Sequence, residues 1–344
     1  MKSVRYYGPE DVRIEDIPVP RIEPGGILVK IEACAICGTD FKAYYNGNPR
    51  IKPPQTLGHE FVGKIVEVAS EVKDFKVGER VTMATSISCG HCHFCSLGQT
   101  NRCLQLTPIS YDYPGAFAEY LAIPAKGVSG GFVVKVPENL GEEASLAEPI
   151  SCAVNAQILA GVKPDDTVVV VGAGPMGAIH AQVARANGAK KIIVTQRSKN
   201  RLQMAKNFGV DVLIDITLTD PVEEVKHLTN GLGADVIIVT APDAAAQEEA
   251  FFMVKKGGMV NLFAGLPKDA STLQLDSRLI HYGEIFISGA SDSTVQHIKI
   301  ALEIMQKGLI NSKAIITHRL PMAGFRKGIE LLKERKALKI LLKP

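Results

Sequence analysis

A ten-residue stretch near the middle of this chain restricts its fold more than any other feature. Four consecutive valines, residues 168–171, lead directly into the sequence Gly172-Ala173-Gly174-Pro175-Met176-Gly177. In a G-x-G-x-x-G turn, the first glycine permits the tight turn, the second lets the backbone approach a pyrophosphate, and the third lets the following helix pack close to the strand. The helix N-terminus then faces the phosphate charge. The stretch therefore predicts a doubly wound α/β domain that binds a dinucleotide through Gly172, Gly174, Pro175, Met176 and Gly177.

The residues around this turn have a matching pattern. Apolar runs typical of buried parallel strands recur, and stretches with helical spacing of apolar residues separate them. The strand-like runs are residues 167–171, 191–195, 212–214, 235–240 and 258–264. Alternating strands and helices predict a parallel sheet with helices on both faces. We therefore assign a Rossmann dinucleotide-binding domain to residues 148–289.

Residues 1–147 have a different character. Short β-rich runs, such as 27–33 and 61–69, are interrupted by glycine and proline. This pattern is typical of an irregular, mostly antiparallel β domain. Residues 290–344 contain an amphipathic helical stretch and a final strand-like run, and we expect them to return to the first domain. Two domains also fit the length of 344 residues.

The composition excludes several classes of function. The 39 basic and 36 acidic side chains leave a net charge of +3, which argues against a nucleic-acid or membrane-surface binder. No apolar run reaches the roughly 18 residues of a membrane helix, and the N-terminus lacks the apolar region of a secretory signal. We therefore expect a cytoplasmic protein with reduced thiols. Its seven cysteines must then serve packing, metal binding or chemistry.

Four of these cysteines lie close together in the chain. Their spacing is Cys89-x2-Cys92-x2-Cys95-x7-Cys103, within a lobe at about residues 86–104. Four thiolates complete the tetrahedral sphere of zinc and leave no open position, so they predict a structural zinc site. An iron–sulfur cluster, which four cysteines also hold, is the competing interpretation.

A second set of candidate ligands is dispersed. It consists of Cys37-Gly38-Thr39-Asp40, Gly58-His59-Glu60 and Glu148-Pro149. One thiolate, one imidazole and one or two carboxylates can hold zinc and leave a position open for a substrate. Each motif is weak alone, and its weight comes from occurring with the four-cysteine lobe and the dinucleotide turn.

The end of the second strand of the α/β domain bears on the choice of dinucleotide. A carboxylate about 20 residues after the turn normally binds the adenosine ribose, but Gln196 stands here and Arg197 follows it. A guanidinium can pair with a 2′-phosphate, and Arg201 adds positive charge. We therefore predict NADP(H) in preference to NAD(H). If Arg197 only stacks on the adenine, either cofactor is acceptable.

Taken together, these motifs resemble those of the zinc-containing medium-chain alcohol dehydrogenases, especially the polyol (sorbitol-type) dehydrogenases. The shared motifs span nearly the whole chain: Cys37-Gly38-Thr39-Asp40, Gly58-His59-Glu60-Phe61-Val62-Gly63, Gly78-Glu79-Arg80-Val81, the four-cysteine lobe, Gly115-Ala116-Phe117-Ala118-Glu119-Tyr120, Glu148-Pro149 and the dinucleotide turn. The resemblance implies a GroES-like β-rich catalytic domain, residues 1–147 and 290–344, with the active site in the cleft beside the Rossmann domain. It also implies two Zn²⁺ ions per chain, one catalytic and one structural, and a homodimer or homotetramer.

The resemblance also assigns roles to individual residues. Cys37, His59 and Glu60 match the ligands of the catalytic zinc. Glu148 matches a carboxylate that contacts this zinc directly or through its water. Cys152 lies near the position of a zinc-binding cysteine in the simple alcohol dehydrogenases. We prefer Glu148, because Cys152 can pack as a small apolar side chain, but which of Glu60, Glu148 and Cys152 completes the sphere stays open.

Thr39 is the candidate for removing the proton of the alcohol. The family places a serine or threonine at this position, where the hydroxyl accepts the proton and passes it to the nicotinamide ribose. The histidine that usually ends this relay is Lys42 here, so the end of the relay is open. The alternative is that Thr39 is only a turn residue.

We therefore predict a zinc-dependent enzyme that transfers a hydride between a secondary alcohol or polyol, or its ketone, and NADP(H). The chain departs from the sorbitol-type pattern at two places that bear on the substrate: residues 289–292 lack the arginine of those enzymes, and Ala43 replaces an aromatic residue. One alternative is a sugar-phosphate dehydrogenase using NAD(H), with Lys42 or Arg50 as the phosphate partner. A non-enzymatic alternative is an NADPH- and zinc-binding sensor or structural protein, which would not need Thr39.

Overall fold

A computed structural model describes residues 1–344. The strands are β1 (Lys2–Gly8), β2 (Asp11–Asp16), β3 (Ile27–Ala35), β4 (Gln55–Thr56), β5 (Glu60–Val68), β6 (Arg80–Met83), β7 (Ser86–Ile87), β8 (Thr107–Pro108), β9 (Tyr120–Ile123), β10 (Val133–Lys135), β11 (Thr167–Val171), β12 (Lys191–Gln196), β13 (Val212–Asp215), β14 (Ala234–Val239), β15 (Val254–Leu262), β16 (Phe286–Gly289), β17 (Ile316–Pro321) and β18 (Lys339–Lys343).

The helices are α1 (Gly38–Asn46), α2 (His93–Ser96), α3 (Ala125–Ser129), α4 (Ala147–Ala160), α5 (Pro175–Ala186), α6 (Lys199–Ala205), α7 (Pro221–Leu228), α8 (Ala244–Met253), α9 (Ser277–Gly283), α10 (Val295–Gln306), α11 (Ser312–Ile315) and α12 (Phe325–Lys333). None of them combines the length and the apolar composition that a membrane crossing needs.

The chain forms two compact units. The first contains residues 1–151, 292–306 and 316–344, and the second contains residues 152–291 and 307–315. The second segment of this unit, residues 307–315, is joined to α5 by a hydrogen bond of 2.6 Å from the backbone N–H of Asn311 to Gln182 Oε1.

The second unit is built on one six-stranded parallel sheet. Its strand order is β13-β12-β11-β14-β15-β16. Counted within this unit the order is 3-2-1-4-5-6, the order of doubly wound dinucleotide-binding folds. The run of valines is explained by the central position of β11, because Val168, Val169 and Val170 have no exposed surface. The structure thus confirms the predicted Rossmann fold.

The first unit is β-rich, as predicted. Its largest sheet has the order β10-β6-β5-β3-β18-β17, and β9 pairs with β3 as well. The neighbours β3 and β5 are antiparallel along most of their length. The last strand of the chain, β18, lies between β3 and β17, antiparallel to β3 and parallel to β17. The last strand is therefore an interior strand of a sheet whose first strand in the chain is β3.

Candidate active site and metal centres

The side chains of Cys37, His59 and Glu60 meet because two neighbouring strands place them together. β3 leads into Cys37, the N-cap residue of α1, and β5 begins at Glu60. In the antiparallel register Ala35 lies opposite Glu60, so the residues just beyond these positions adjoin. One ligand atom of each of the three side chains lies within 4.8 Å of the other two. The structure thus brings together three of the four predicted ligands of the catalytic zinc.

The charges around His59 test whether this group fits a cation. Burial opposes a charge on the imidazole, but the Cys37 thiolate and the carboxylates of Asp40 and Glu148 raise the pKa of His59 well above its usual value. His59 Nδ1 is buried without a hydrogen-bond partner. A thiolate, an imidazole and carboxylates in one buried place are the donors that zinc prefers. The residues therefore fit a zinc ion.

Asp40 holds the start of α1 beside this group. Its carboxylate is 2% exposed and accepts a hydrogen bond of 2.9 Å from the backbone N–H of Cys37. Its other oxygen lies 4.0 Å from His59 Nδ1. A carboxylate next to a metal-binding histidine orients the ring and raises its basicity. Asp40 is thus placed to position both Cys37 and His59.

Lys339 is one of two residues that sequence reasoning missed at this site. Its ammonium group donates hydrogen bonds to both carboxylate oxygens of Glu60, with 2.6 Å to Oε2, and both side chains are almost fully buried. Burial opposes the charge on Lys339, yet the Glu60 carboxylate and the Cys37 thiolate raise its pKa above the ordinary value. The available signal was a lysine within the apolar run 338–342. If Glu60 binds zinc, it does so while paired with this lysine.

Glu148 lies beside the three-residue group. It stands in the first turn of α4 and is 8% exposed. Burial, together with the charges of Glu60 and Asp292, raises the pKa of its carboxyl to about 7, against the opposing charge of His59. Its charge thus acts on the candidate ligands. Glu148 is not part of the group whose ligand atoms all lie within 4.8 Å of one another, which consists of Cys37, His59 and Glu60. Cys152, one turn further along α4, is half-buried.

Thr39 and Tyr111 place two hydroxyl groups at the site. Thr39 is in the first turn of α1, and its Oγ1 lies 3.5 Å from His59 Nε2. The Tyr111 side chain hydrogen-bonds to Thr39, and burial raises the pKa of the phenol. Sequence reasoning missed Tyr111, because it lies in a turn 72 residues from Thr39 that carries no ligand motif. The two residues form a polar contact next to the imidazole.

The four cysteines of the lobe converge as their spacing predicts. The Sγ atoms of Cys89, Cys92, Cys95 and Cys103 all lie within 4.8 Å of one another, and all four thiols are free. Backbone N–H groups of Leu104 and Cys95 lower the pKa of Cys92 to about 6. N–H donors that stabilise thiolates suit a metal, because the thiolate is the binding form. The donor set fits zinc without any further ligand.

The glycine-rich turn has the shape that a phosphate needs. Gly172 has φ = 102°, which is strained for any side chain. A Cβ on Gly177 would overlap the carbonyl oxygen of Gly172, so this glycine permits the close contact of α5 with the turn. A Cβ on Gly174 would meet only the guanidinium of Arg201, at 3.5 Å. The turn thus offers open backbone beside a cation, which fits a pyrophosphate.

Gln196 and Arg197 occupy the end of β12. The Oε1 atom of Gln196 accepts hydrogen bonds from the backbone N–H groups of Arg197 and Ser198, at 2.8 and 2.9 Å. The amide therefore turns its NH₂ group, a donor, away from the backbone. Arg197 lies 3.8 Å from Asp243 at the start of α8, and both side chains are exposed. These residues put hydrogen-bond donors where dinucleotide-binding folds usually have an acceptor.

Comparison with known families matches both parts of the chain. Residues 23–138 match the alcohol dehydrogenase GroES-like domain, and residues 175–307 match the zinc-binding dehydrogenase domain.

Individual proteins are similar over almost the full length. An L-threonine 3-dehydrogenase of Bacillus licheniformis is 33% identical over 99% of this chain and 98% of its own. A sorbitol dehydrogenase of Bacillus subtilis is 33% identical over 100% of this chain and 97% of its own. The structure of a zinc-binding dehydrogenase of Sinorhizobium meliloti bound to NADP superposes with a TM-score of 0.93, at 30% identity, covering 100% of this chain and 99% of that one.

The two groups of metal-ligand atoms predict how zinc content responds to substitution. We expect about two zinc ions per chain, one for each group, measured by inductively coupled plasma mass spectrometry. Cys95→Ser and Cys37→Ser should each leave about one ion, because each removes a ligand from a different group. Cys34→Ala is the control: its thiol is fully buried and in neither group, so both ions should stay. A full zinc content in the Cys37 variant would contradict the assignment.

Proposed function

Since the chain belongs to the zinc-containing medium-chain alcohol dehydrogenases of the polyol type, we propose that it transfers a hydride between a secondary alcohol or polyol, or its ketone, and a nicotinamide cofactor. The observation that carries this proposal is the convergence of Cys37, His59 and Glu60 with the Thr39 hydroxyl at 3.5 Å from the imidazole. A protein that only bound zinc and a dinucleotide would not need a proton acceptor at this place.

The residues of the chain have separate tasks in this reaction. Cys37, His59 and Glu60 would hold the zinc ion, and Glu148 stands beside them. When bound, zinc supplies the Lewis acidity that lowers the pKa of an alcohol, and the nicotinamide accepts the hydride. Thr39 Oγ1 takes the hydroxyl proton of the alcohol while its own proton leaves to a neighbouring acceptor. Tyr111, hydrogen-bonded to Thr39, holds this hydroxyl in one orientation.

Substitution of Thr39 tests the reaction. Thr39→Val keeps the shape of the side chain and removes the hydroxyl, so kcat should fall by about a hundredfold or more. Thr39→Ser, the matched control, should keep kcat within about tenfold of the wild-type value. The assay screens secondary alcohols and polyols with oxidised cofactor and ketones with reduced cofactor. Equal kcat values for Thr39→Val and the wild type would exclude the relay.

We further propose that NADP(H) is the preferred cofactor. The donor group of Gln196 and the cations Arg197 and Arg201 suit the acceptor oxygens of a 2′-phosphate better than a ribose hydroxyl. Arg197 also screens the nearby negative charge of Asp243.

Dissociation constants from reduced-nicotinamide fluorescence test this preference without a known substrate. NADPH should bind at least about tenfold more tightly than NADH, a difference of about 1.4 kcal/mol, and Arg197→Ala should remove most of that difference. Gly174→Ala is the control, since its Cβ occupies the space for the pyrophosphate without striking the backbone. It should fold normally and weaken both cofactors equally. Equal or tighter binding of NADH by the wild type would overturn the preference.

We also propose a homodimer or homotetramer. β16 is the edge strand of the parallel sheet, and its residues Phe286 and Ile287 are 60% and 45% exposed. An exposed apolar edge strand is a template for pairing with a second copy. Sedimentation velocity should show an oligomer for the wild type and a smaller species for Phe286→Glu. A monomeric wild type at micromolar concentration would exclude this assembly.

A further inference from the structure

Asp292 lies in the loop between β16 and α10. It follows β16 and has a left-handed backbone, with φ = 61°. Its Oδ1 accepts a hydrogen bond of 2.7 Å from the backbone N–H of Ser293, and the side chain of Ser86 on β7 also hydrogen-bonds to the carboxylate. The carboxylate is therefore held from two directions by different segments of the first unit.

Two further contacts bind this segment to the helix that carries Glu148. The Ser293 and Ser151 hydroxyl oxygens are 2.6 Å apart, and the Ser151 hydroxyl donates to the backbone carbonyl of Glu148 at 2.6 Å. All three residues are buried. Asp292 is thus fixed relative to Glu148 by a short chain of hydrogen bonds.

The hydrogen-bond chain to Glu148 brings Asp292 close to the candidate zinc ligands, and the electrostatics agree with this placement. The charge of Asp292 acts on Glu148, and the charge of His59 acts on Asp292. The other carboxylate of the region, Glu60, has its own buried cation in Lys339. Arg50 also acts on Asp292 from a distance, but its direct ion pair is with Asp112, at 3.7 Å. Asp292 therefore contributes acceptor oxygens close to Glu148, beside the candidate zinc ligands.

We propose that Asp292 selects the substrate, by accepting a hydrogen bond from a second donor group close to the carbon that is oxidised. A carboxylate accepts hydrogen bonds and donates none, so a hydroxyl or an ammonium group is favoured there and a carboxylate or phosphate is repelled. The substrate class is thus a vicinal diol, a polyol or an amino alcohol. This inference rests on the proposed dehydrogenase function and names the substrate feature that the same site recognises.

The alternative role for Asp292 is to stabilise its own turn. Asparagine serves that role as well, because it tolerates the left-handed region and offers an oxygen to the Ser293 N–H. Glycine adopts the same backbone without strain. Asp292→Asn and Asp292→Gly therefore keep the turn and remove the charge, which separates substrate selection from a structural role.

The test compares 2,3-butanediol, 3-amino-2-butanol, 2-butanol and 3-hydroxybutyrate, four secondary alcohols of similar length. Their affinities for the zinc-loaded protein with NADPH are measured by nicotinamide fluorescence, and kcat/KM is measured for those that react. In the wild type we expect the diol or the amino alcohol to bind about tenfold or more tightly than 2-butanol, and 3-hydroxybutyrate to bind most weakly. A stronger preference for the diol identifies a polyol enzyme, and a stronger preference for the amine identifies an amino-alcohol enzyme.

In both Asp292 variants, the affinity for the diol or the amino alcohol relative to the affinity for 2-butanol should fall by about tenfold. The affinity for 3-hydroxybutyrate relative to 2-butanol should rise. Asp112→Asn makes the same chemical change at an exposed carboxylate and should leave the ratio unchanged. An unchanged ratio in both Asp292 variants would overturn the inference. If the selectivity in binding changes as expected but no alcohol or ketone reacts, the proposed function fails and the role of Asp292 stands.

Discussion

The buried ion pair between Lys339 and Glu60 holds the first unit and its candidate metal site together. It joins β18 to the first residue of β5, with β3 between these two strands in the sheet. Removing one partner of a buried pair typically costs about 3–5 kcal/mol, because the other charge is left without compensation. The same lysine contributes the positive charge that lets Glu60, Cys37 and Glu148 gather at one place. Its position in the sheet therefore controls both the packing and the electrostatics of the site.

The two units form their candidate binding sites at strand ends in different ways. In the second unit, a glycine-rich turn follows the central strand and exposes backbone N–H groups, so the binding surface is made by the absence of side chains. In the first unit, an antiparallel register puts Cys37 beside His59 and Glu60, so the site is made by side chains. A dinucleotide needs the first arrangement and a zinc ion the second.

A feature could be predicted from the sequence when the residues that form it lie close together in the chain. The parallel α/β fold and the four-thiol group follow from local patterns, and the structure has both. The meeting of Cys37 with His59 and Glu60 depends on strand register and needed the family resemblance. Lys339 and Tyr111 were missed because each reaches the site from a distant segment and carries no motif of its own. The preference between the two cofactors depends on a few side chains at the end of β12 and stays a prediction.

The order of the strands in the first unit has a consequence for biosynthesis. A ribosome releases the N-terminal residues first, so β3 and β5 leave the exit tunnel long before β18 exists. Until then the end of β3 at Cys34 and Ala35 lacks its partner strand, and Glu60 has no buried cation beside it. All segments of the nucleotide-binding unit precede β17 and β18 in the chain, so that unit can complete its fold earlier. The candidate metal site is thus completed only after β18 has been translated, and a chain that stops before Lys339 would leave it unfinished.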